Sequence, residues 1–173
     1  MTGAPDPGEA MDLRVTPVCF TGSSADMISG VRRAVFTLEQ GVDPDLDLDG
    51  QDPLAIHALA MVNGSAVGTG RMLEDGHIGR VAVMRAFRGR GIGQRIIHCL
   101  VAEARAGKLA RVFLGAQVHA VPFYKNLGFT PYGSPYEEAG ISHIHMALVL
   151  APQISKGDPD GRADCYSLPG CPA

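Results

Sequence analysis

The chain has 173 residues, 46% of them hydrophobic, and its 15 Lys and Arg against 18 Asp and Glu leave a net charge of −3. That length suits one domain with a real core, and the mild acidity argues against non-specific nucleic-acid binding, which relies on concentrated Lys and Arg to displace counterions. No apolar run reaches the roughly 18 to 20 residues of a membrane span, and the N-terminal residues carry acids and prolines where a secretory signal has a basic end and an apolar run, so a cytoplasmic location is expected.

Residues 1–12 and 152–173 mix Gly, Pro and charge without periodicity. Neither stretch can bury enough apolar surface to offset its ordering entropy, so both read as flexible tails around one folded domain at 13–151. Cys19 and Cys99 lie in apolar patterns and read as reduced core residues, whereas Cys165 and Cys171 fall in the Pro/Gly-rich tail. There a disulfide or a metal is the minority reading.

Residues 14–20 read as a first strand. Ser23 or Ser24 can cap a helix in which Met27, Ile28, Val31, Ala34, Val35 and Leu38 recur at helical spacing. The loop Asp43-Pro44-Asp45-Leu46-Asp47-Leu48-Asp49-Gly50 has the first half of an EF-hand pattern, but Ile56 stands where the bidentate Glu belongs. A solvated acidic loop is the expectation, with attraction of a cationic acceptor as the second reading. Residues 54–62 alternate, Asn63-Gly64 turns the chain into 65–73, and Asp75-Gly76 turns it again into a strand at 78–84. Ile96, Ile97, Leu100, Val101 and Ala104 mark a helix from Gly93 to near Gly107, which returns the chain to a strand at 111–116 as a βαβ crossover. A short helix carrying Tyr124 follows, then strands at 129–132 and 143–150 linked by a loop rich in Gly, Pro and Glu. The sum is an α/β chain with a mixed sheet and helices on its faces.

Two segments carry chemistry. Between the strand at 78–84 and the helix after it lies Arg88-Gly89-Arg90-Gly91-Ile92-Gly93. Alternate glycines remove the side chains that would hold a ligand off the backbone, so successive N–H groups can converge on one anion, and the helix start adds the positive end of its dipole. The spacing fits neither a P-loop nor a dinucleotide fingerprint. The second segment is Ala120-Val121-Pro122-Phe123-Tyr124-Lys125-Asn126-Leu127-Gly128-Phe129.

In this order the pair resembles the two signatures of the GNAT superfamily of acyl-CoA N-acyltransferases, a pyrophosphate turn and a short Tyr helix ending in Gly-Phe. Val35-Phe36-Thr37-Leu38-Glu39-Gln40, Ile78-Gly79-Arg80-Val81-Ala82-Val83, the run from Leu114-Gly115-Ala116-Gln117 to Tyr124, and Glu138-x-Gly140-Ile141-x-His143-x-x-Met146 are similar to the ElaA-like and YjcF-like bacterial subgroup. The resemblance spans residues 14–150. It implies a GNAT fold, with a mixed central sheet of about seven strands, flanked by about four helices, and splayed fourth and fifth strands.

The activity implied is transfer of an acetyl group from acetyl-CoA, the acyl-donor substrate, to a primary amine of a small molecule or peptide by direct attack. The alternative is a CoA-binding regulatory module with little or no transfer. No metal, nucleic-acid or membrane partner is implied, and a homodimer is compatible with the superfamily. Carried onto this sequence, the backbone of Val81, Ala82 and Val83 holds the pantetheine arm, and Arg88, Gly89, Arg90, Gly91, Ile92 and Gly93 hold the pyrophosphate. Gln117 stands where many members have a cofactor-side Asn, and Tyr124 is the phenol that bonds the CoA sulfur and protonates it as it leaves.

Glu39 is a candidate base and acceptor contact, its pKa raised by partial desolvation; the competing reading pairs it with Arg80 or another cation, or leaves it solvated at a helix end. Arg80 sits mid-strand and, if buried, demands a carboxylate. Glu138 and His143 match the subgroup pattern as acceptor contacts, with His143 also a candidate for proton transfer. His143 and His145 share a strand face, but further zinc ligands are not apparent nearby.

Overall fold

The computed structural model describes residues 11–150. The expectations for the two tails, including Cys165 and Cys171, lie outside the described residues except at Met11 and Asp12, where Asp12 exchanges hydrogen bonds with Asn63. Two compact units divide the chain, Met1–Glu74 with Ile78–Leu100 and Asp75–His77 with Val101–Ala173.

The first unit is built on an antiparallel meander of β1 (Leu13–Val18), β2 (Ile56–Val62), β3 (Ser65–Met72) and β4 (Ile78–Val83), ordered β1-β2-β3-β4. The β2–β3 turn is Asn63-Gly64, with φ of +48° and +81°. Such turns match the twist of the strands they join, which is why Asn-Gly is legible in sequence. Helix α1 (Gly22–Arg32) runs on into a π-helical stretch, Arg33–Glu39. Neither serine caps it: Thr21 precedes the helix, no side chain caps its start, and Ser23 and Ser24 lie within the first turn. Ile28, Val31 and Val35 bury most of the apolar stripe anticipated for this helix, but Leu38, placed in the same stripe, is 71% exposed. Gly68 and Gly70 on β3 let Ile96 lie close, for a Cβ at either would stand 3.0 or 2.7 Å from its methyl groups.

The acidic loop is solvated only in part, with Asp43 and Asp45 exposed. Helix α2 (Pro44–Asp47) is capped by Asp43, which accepts from the Asp45 N–H, and Asp47, Asp49 and Asp52 are tied to arginines. Arg32, 2% exposed, reaches Asp47 at 2.8 Å and Asp52 at 2.7 Å. Arg71 donates to both oxygens of Asp49 and to Asp52. Arg80 bridges Asp47 and Asp49. Arg80 thus has the carboxylate partners it requires, and its φ of +53° falls where the β3–β4 register shifts, the signature of a bulge. Loop acids expected to face water instead neutralise buried guanidinium groups, because an unpaired charge there costs several kcal/mol.

The second unit holds β5 (Arg111–Gln117), β6 (Thr130–Glu138) and β7 (Ile141–Val149) in the order β5-β7-β6, all antiparallel, with the short helix α4 (Val121–Asn126). Helix α3 (Ile92–Ala106) spans the boundary between the units. The loop expected between the last two strands is mostly strand. The β6–β7 register shifts between Tyr132 and Tyr136, and this irregularity accommodates Pro135; the hairpin closes at Ala139-Gly140, with φ of +50° and +73°. Val112, Leu114, Ala116, Phe129 and Met146 are buried. Gly76 is required at the entry to β4, since a Cβ would stand 2.6 Å from the Arg111 carbonyl.

Seven strands and four α-helices are therefore present among the described residues, and the fourth and fifth strands belong to different ladders. The parallel component of the mixed sheet is confined there to one bridge, His77 to Phe113. Cys19 and Cys99 are only partly buried, and Cys19 is disulfide-bonded rather than a reduced core thiol. No described helix is long and apolar enough to cross a membrane.

Candidate functional site

In the first unit the candidate donor residues lie at the end of β4 and in the turn after it. Strand β4 is the last of its ladder. The Met84 N–H donates to the Val67 carbonyl on β3 at 2.8 Å. Alternation along a strand then turns the main-chain groups of Val81 and Val83 to the other edge, where an extended ligand can pair with them. The Val83 carbonyl accepts from Arg88 Nε at 2.9 Å.

The turn itself needs its glycines for conformation. Gly89 and Gly91 have φ of +74° and +75°, and no atom lies within 4 Å of a Cβ built on either. Close approach to this backbone is therefore open. The first α3 bond runs from the Arg95 N–H to the Gly91 carbonyl at 3.1 Å, so the amides just before Arg95 have no partner within the helix. Ile92, 1% exposed, anchors the start of the helix. Such an arrangement suits an anion such as a diphosphate.

The two arginines of the turn behave differently. Arg88 makes a fork with Glu39, its two terminal nitrogens 2.6 and 2.8 Å from the carboxylate oxygens. Arg90 lies over the Phe87 ring at 5.7 Å and reaches the Met11 sulfur at 3.8 Å. The Arg88 hydrogen bond, foremost, holds the Glu39 carboxyl below the usual carboxylate range, with burial opposing it and the Arg88 and Arg85 charges adding to it. The anticipated upward shift of Glu39 is thus reversed. Its partner is a cation, as in the competing expectation, though Arg88 rather than Arg80.

In the second unit Tyr124 sits on α4 between Phe123 and Phe129, with ring centroids 5.0 and 5.8 Å away in edge contacts. Its carbonyl accepts from the Leu127 and Phe129 amides, closing the helix around Gly128 at φ +90°. Burial pushes its phenol up to about 12, so it remains a proton donor at neutral pH.

Gln117 on β5 is opposite His143 on β7, and His143 is opposite Tyr136 on β6. The His143 Nδ1 lies 2.7 Å from the Ile141 carbonyl. A carbonyl only accepts, so in the neutral ring the proton is on Nδ1 and the lone pair on Nε2. The imidazole is 9% exposed and stacks on Tyr136 at 5.7 Å; Tyr136 stacks on His145 at 4.5 Å, and His145 on Tyr132 at 5.5 Å. Glu138 stands at the hairpin, exposed, with no hydrogen bond to His143. Its charge joins burial in raising the Tyr136 pKa.

Tyr136 and Gly115 were not singled out from the sequence. The available signal was Tyr132 and Tyr136 at even spacing, the mark of one strand face, but the segment reads as a loop because of Gly133 and Pro135. Among the described residues no group of three or more His, Cys, Asp or Glu is placed to hold a metal ion.

Residues 50–150 match the family described as an acetyltransferase (GNAT) domain. Protein ElaA of Escherichia coli strain K12 is 38% identical over 126 residues, covering 68% of this chain and 82% of that protein. YjcF, an uncharacterized N-acetyltransferase of Bacillus subtilis strain 168, is 32% identical over 120 residues, covering 67% and 86%. The crystal structure of an acyl-CoA N-acyltransferase from Pseudomonas aeruginosa matches with a TM-score of 0.69 at 28% identity, over 80% of this chain and 99% of that one.

Proposed function

Because the chain belongs to the GNAT family of acetyltransferases, we propose that it transfers an acetyl group from acetyl-CoA to a primary amine of a small molecule or peptide by direct attack. The observation that carries this reading is the open turn at 88–93, whose uncrowded glycines and helix start suit a diphosphate. The donor supplies a thioester carbonyl and a thiolate leaving group; the rest is asked of the chain. Val81, Ala82 and Val83 offer the edge of β4 to the pantetheine arm. Gly89, Arg90, Gly91, Ile92 and Gly93, with Arg88, take the diphosphate, and Gln117 contributes a cofactor-side amide.

Tyr124 gives its phenolic proton to the departing sulfur, a role that its raised pKa supports. His143 accepts the ammonium proton at Nε2, the nitrogen left basic by the Ile141 carbonyl, and Glu138 and Glu39 supply negative charge for a cationic acceptor. Glu39 is a weaker base than a free carboxylate while Arg88 holds it. The same reading carries the expectations of a cytoplasmic enzyme and a two-fold homodimer.

The test is calorimetric titration with acetyl-CoA, with NADH and ATP as controls, followed by an amine panel read by free-thiol release. Selective binding with thiol release is the expected result. Binding without release from any amine favours the CoA-binding regulatory module, and no binding by folded protein overturns both readings.

A further inference from the structure

The guanidinium of Arg88 is engaged along its whole outer edge. Its Nε donates to the Val83 carbonyl, and its two terminal nitrogens hold Glu39, a residue 49 positions away at the end of the π-helical stretch. That edge is the one a bidentate phosphate oxygen pair would use. We infer that Glu39 is a built-in occupant of the diphosphate position, holding Arg88 in the donor-free chain and yielding it when the donor binds, so that donor binding itself releases a free carboxylate. This rests on the assignment of the turn at 88–93 to the donor's diphosphate.

Three features support exchange rather than a permanent tie. The pair is open to water, with side chains 40% and 31% exposed, and ion pairs of that kind are weak. A diphosphate brings more charge than one carboxylate and gains the turn amides as well, which have no bond to Glu39. The cations acting on Glu39 are Arg88 and Arg85, so loss of Arg88 to a ligand removes its principal partner. The released carboxylate then stands beside an added negative charge, and its proton affinity rises.

The experiment compares CoA and inorganic pyrophosphate binding by the parent chain, Glu39→Gln, Arg88→Gln and the double variant, with circular dichroism confirming the fold. Glu39→Ser is a second variant lacking the charge. Glu39→Gln and Glu39→Ser should bind CoA about two- to fivefold more tightly than the parent, the scale of an exposed pair, and the gain should vanish in the Arg88→Gln background. Parent binding near pH 5 should take up protons, and Glu39→Gln binding should take up fewer. Equal or weaker binding by both Glu39 variants overturns the inference and leaves the donor site standing. A gain that persists without Arg88 also overturns it, because the competition would not run through that guanidinium. Failure of the parent to bind CoA removes the donor-site assignment, and the inference with it.

Discussion

The hydroxyl of Tyr136 lies where a side chain on Gly115 would have to stand. Gly115 is opposite His145 on β7, and the His145 ring stacks on Tyr136 at 4.5 Å, so the missing Cβ lets the tyrosine lie flat beside the imidazoles. Gly115→Ala should turn Tyr136 away and cost about 1–3 kcal/mol by overpacking. In a Tyr136→Phe background the cost should shrink, because the ring carbon behind the hydroxyl is 3.4 Å from the added methyl. Denaturant unfolding of the four proteins should show a coupling of about 0.5–3 kcal/mol; additive effects would contradict this contact.

Gly70 and Gly91 separate packing from binding. An added methyl on Gly70 meets Ile96 at 2.7 Å and Leu100 at 3.3 Å, whereas one on Gly91 meets nothing within 4 Å. Gly70→Ala should lower the melting temperature and leave CoA affinity nearly unchanged. Gly91→Val carries the strain of a β-branched residue at φ +75°, roughly 1–2 kcal/mol, and should abolish CoA binding by covering the amides. The reverse pattern would show that the turn is structural.

Asp52 joins two buried arginines. Burial pushes its carboxyl up, but the hydrogen bonds from Arg32 and Arg71 outweigh that and hold it below the ordinary value. Asp49 is lowered as well, chiefly by Arg71. A lowered folded pKa contributes stability that is present above the unfolded value near 4 and lost as pH falls through the folded one. Acid should therefore unfold the protein below about pH 4. Asp52→Asn should cost about 3–5 kcal/mol at neutral pH by leaving the guanidinium groups short of charge, and its stability should fall less steeply with acid. An acid limb parallel to the parent's in urea midpoints would remove Asp52 from this role.

Tyr124→Phe should reduce turnover roughly 10²- to 10⁴-fold with little change in CoA affinity. With the phenol pushed up to about 12, the parent should show no loss of activity from this group until the pH approaches that value. His143→Gln should reduce kcat/KM by a similar factor if Nε2 is the base. Unchanged steady-state constants in either variant would withdraw the corresponding proton.

What was legible in the sequence was local. Asn63-Gly64, the alternate glycines at 89, 91 and 93, the stripe of Ile96, Ile97, Leu100 and Ala104, and the Tyr124 helix with its closing Gly128-Phe129 each owe their conformation to neighbours a few residues away. Residue type limits φ, and the period of apolar side chains selects helix or strand before any distant partner is met. The β6–β7 hairpin escaped because its signals conflict: Gly133 and Pro135 mark a loop, and only pairing with β7 across a register shift makes the segment a strand.

Partner choice across distance belonged to the tertiary structure. By itself the sequence determined that this chain is a strand-and-helix member of the GNAT family, with a glycine-rich turn before one helix and Tyr124 on a short one. It did not select Arg88 for Glu39, or Asp47, Asp49 and Asp52 for the buried arginines, since several cations and acids at separations of 15 to 49 residues satisfy charge equally well on paper. Which pair forms depends on where the backbone brings each group and how much water it loses there, and those two quantities exist only once the chain has folded.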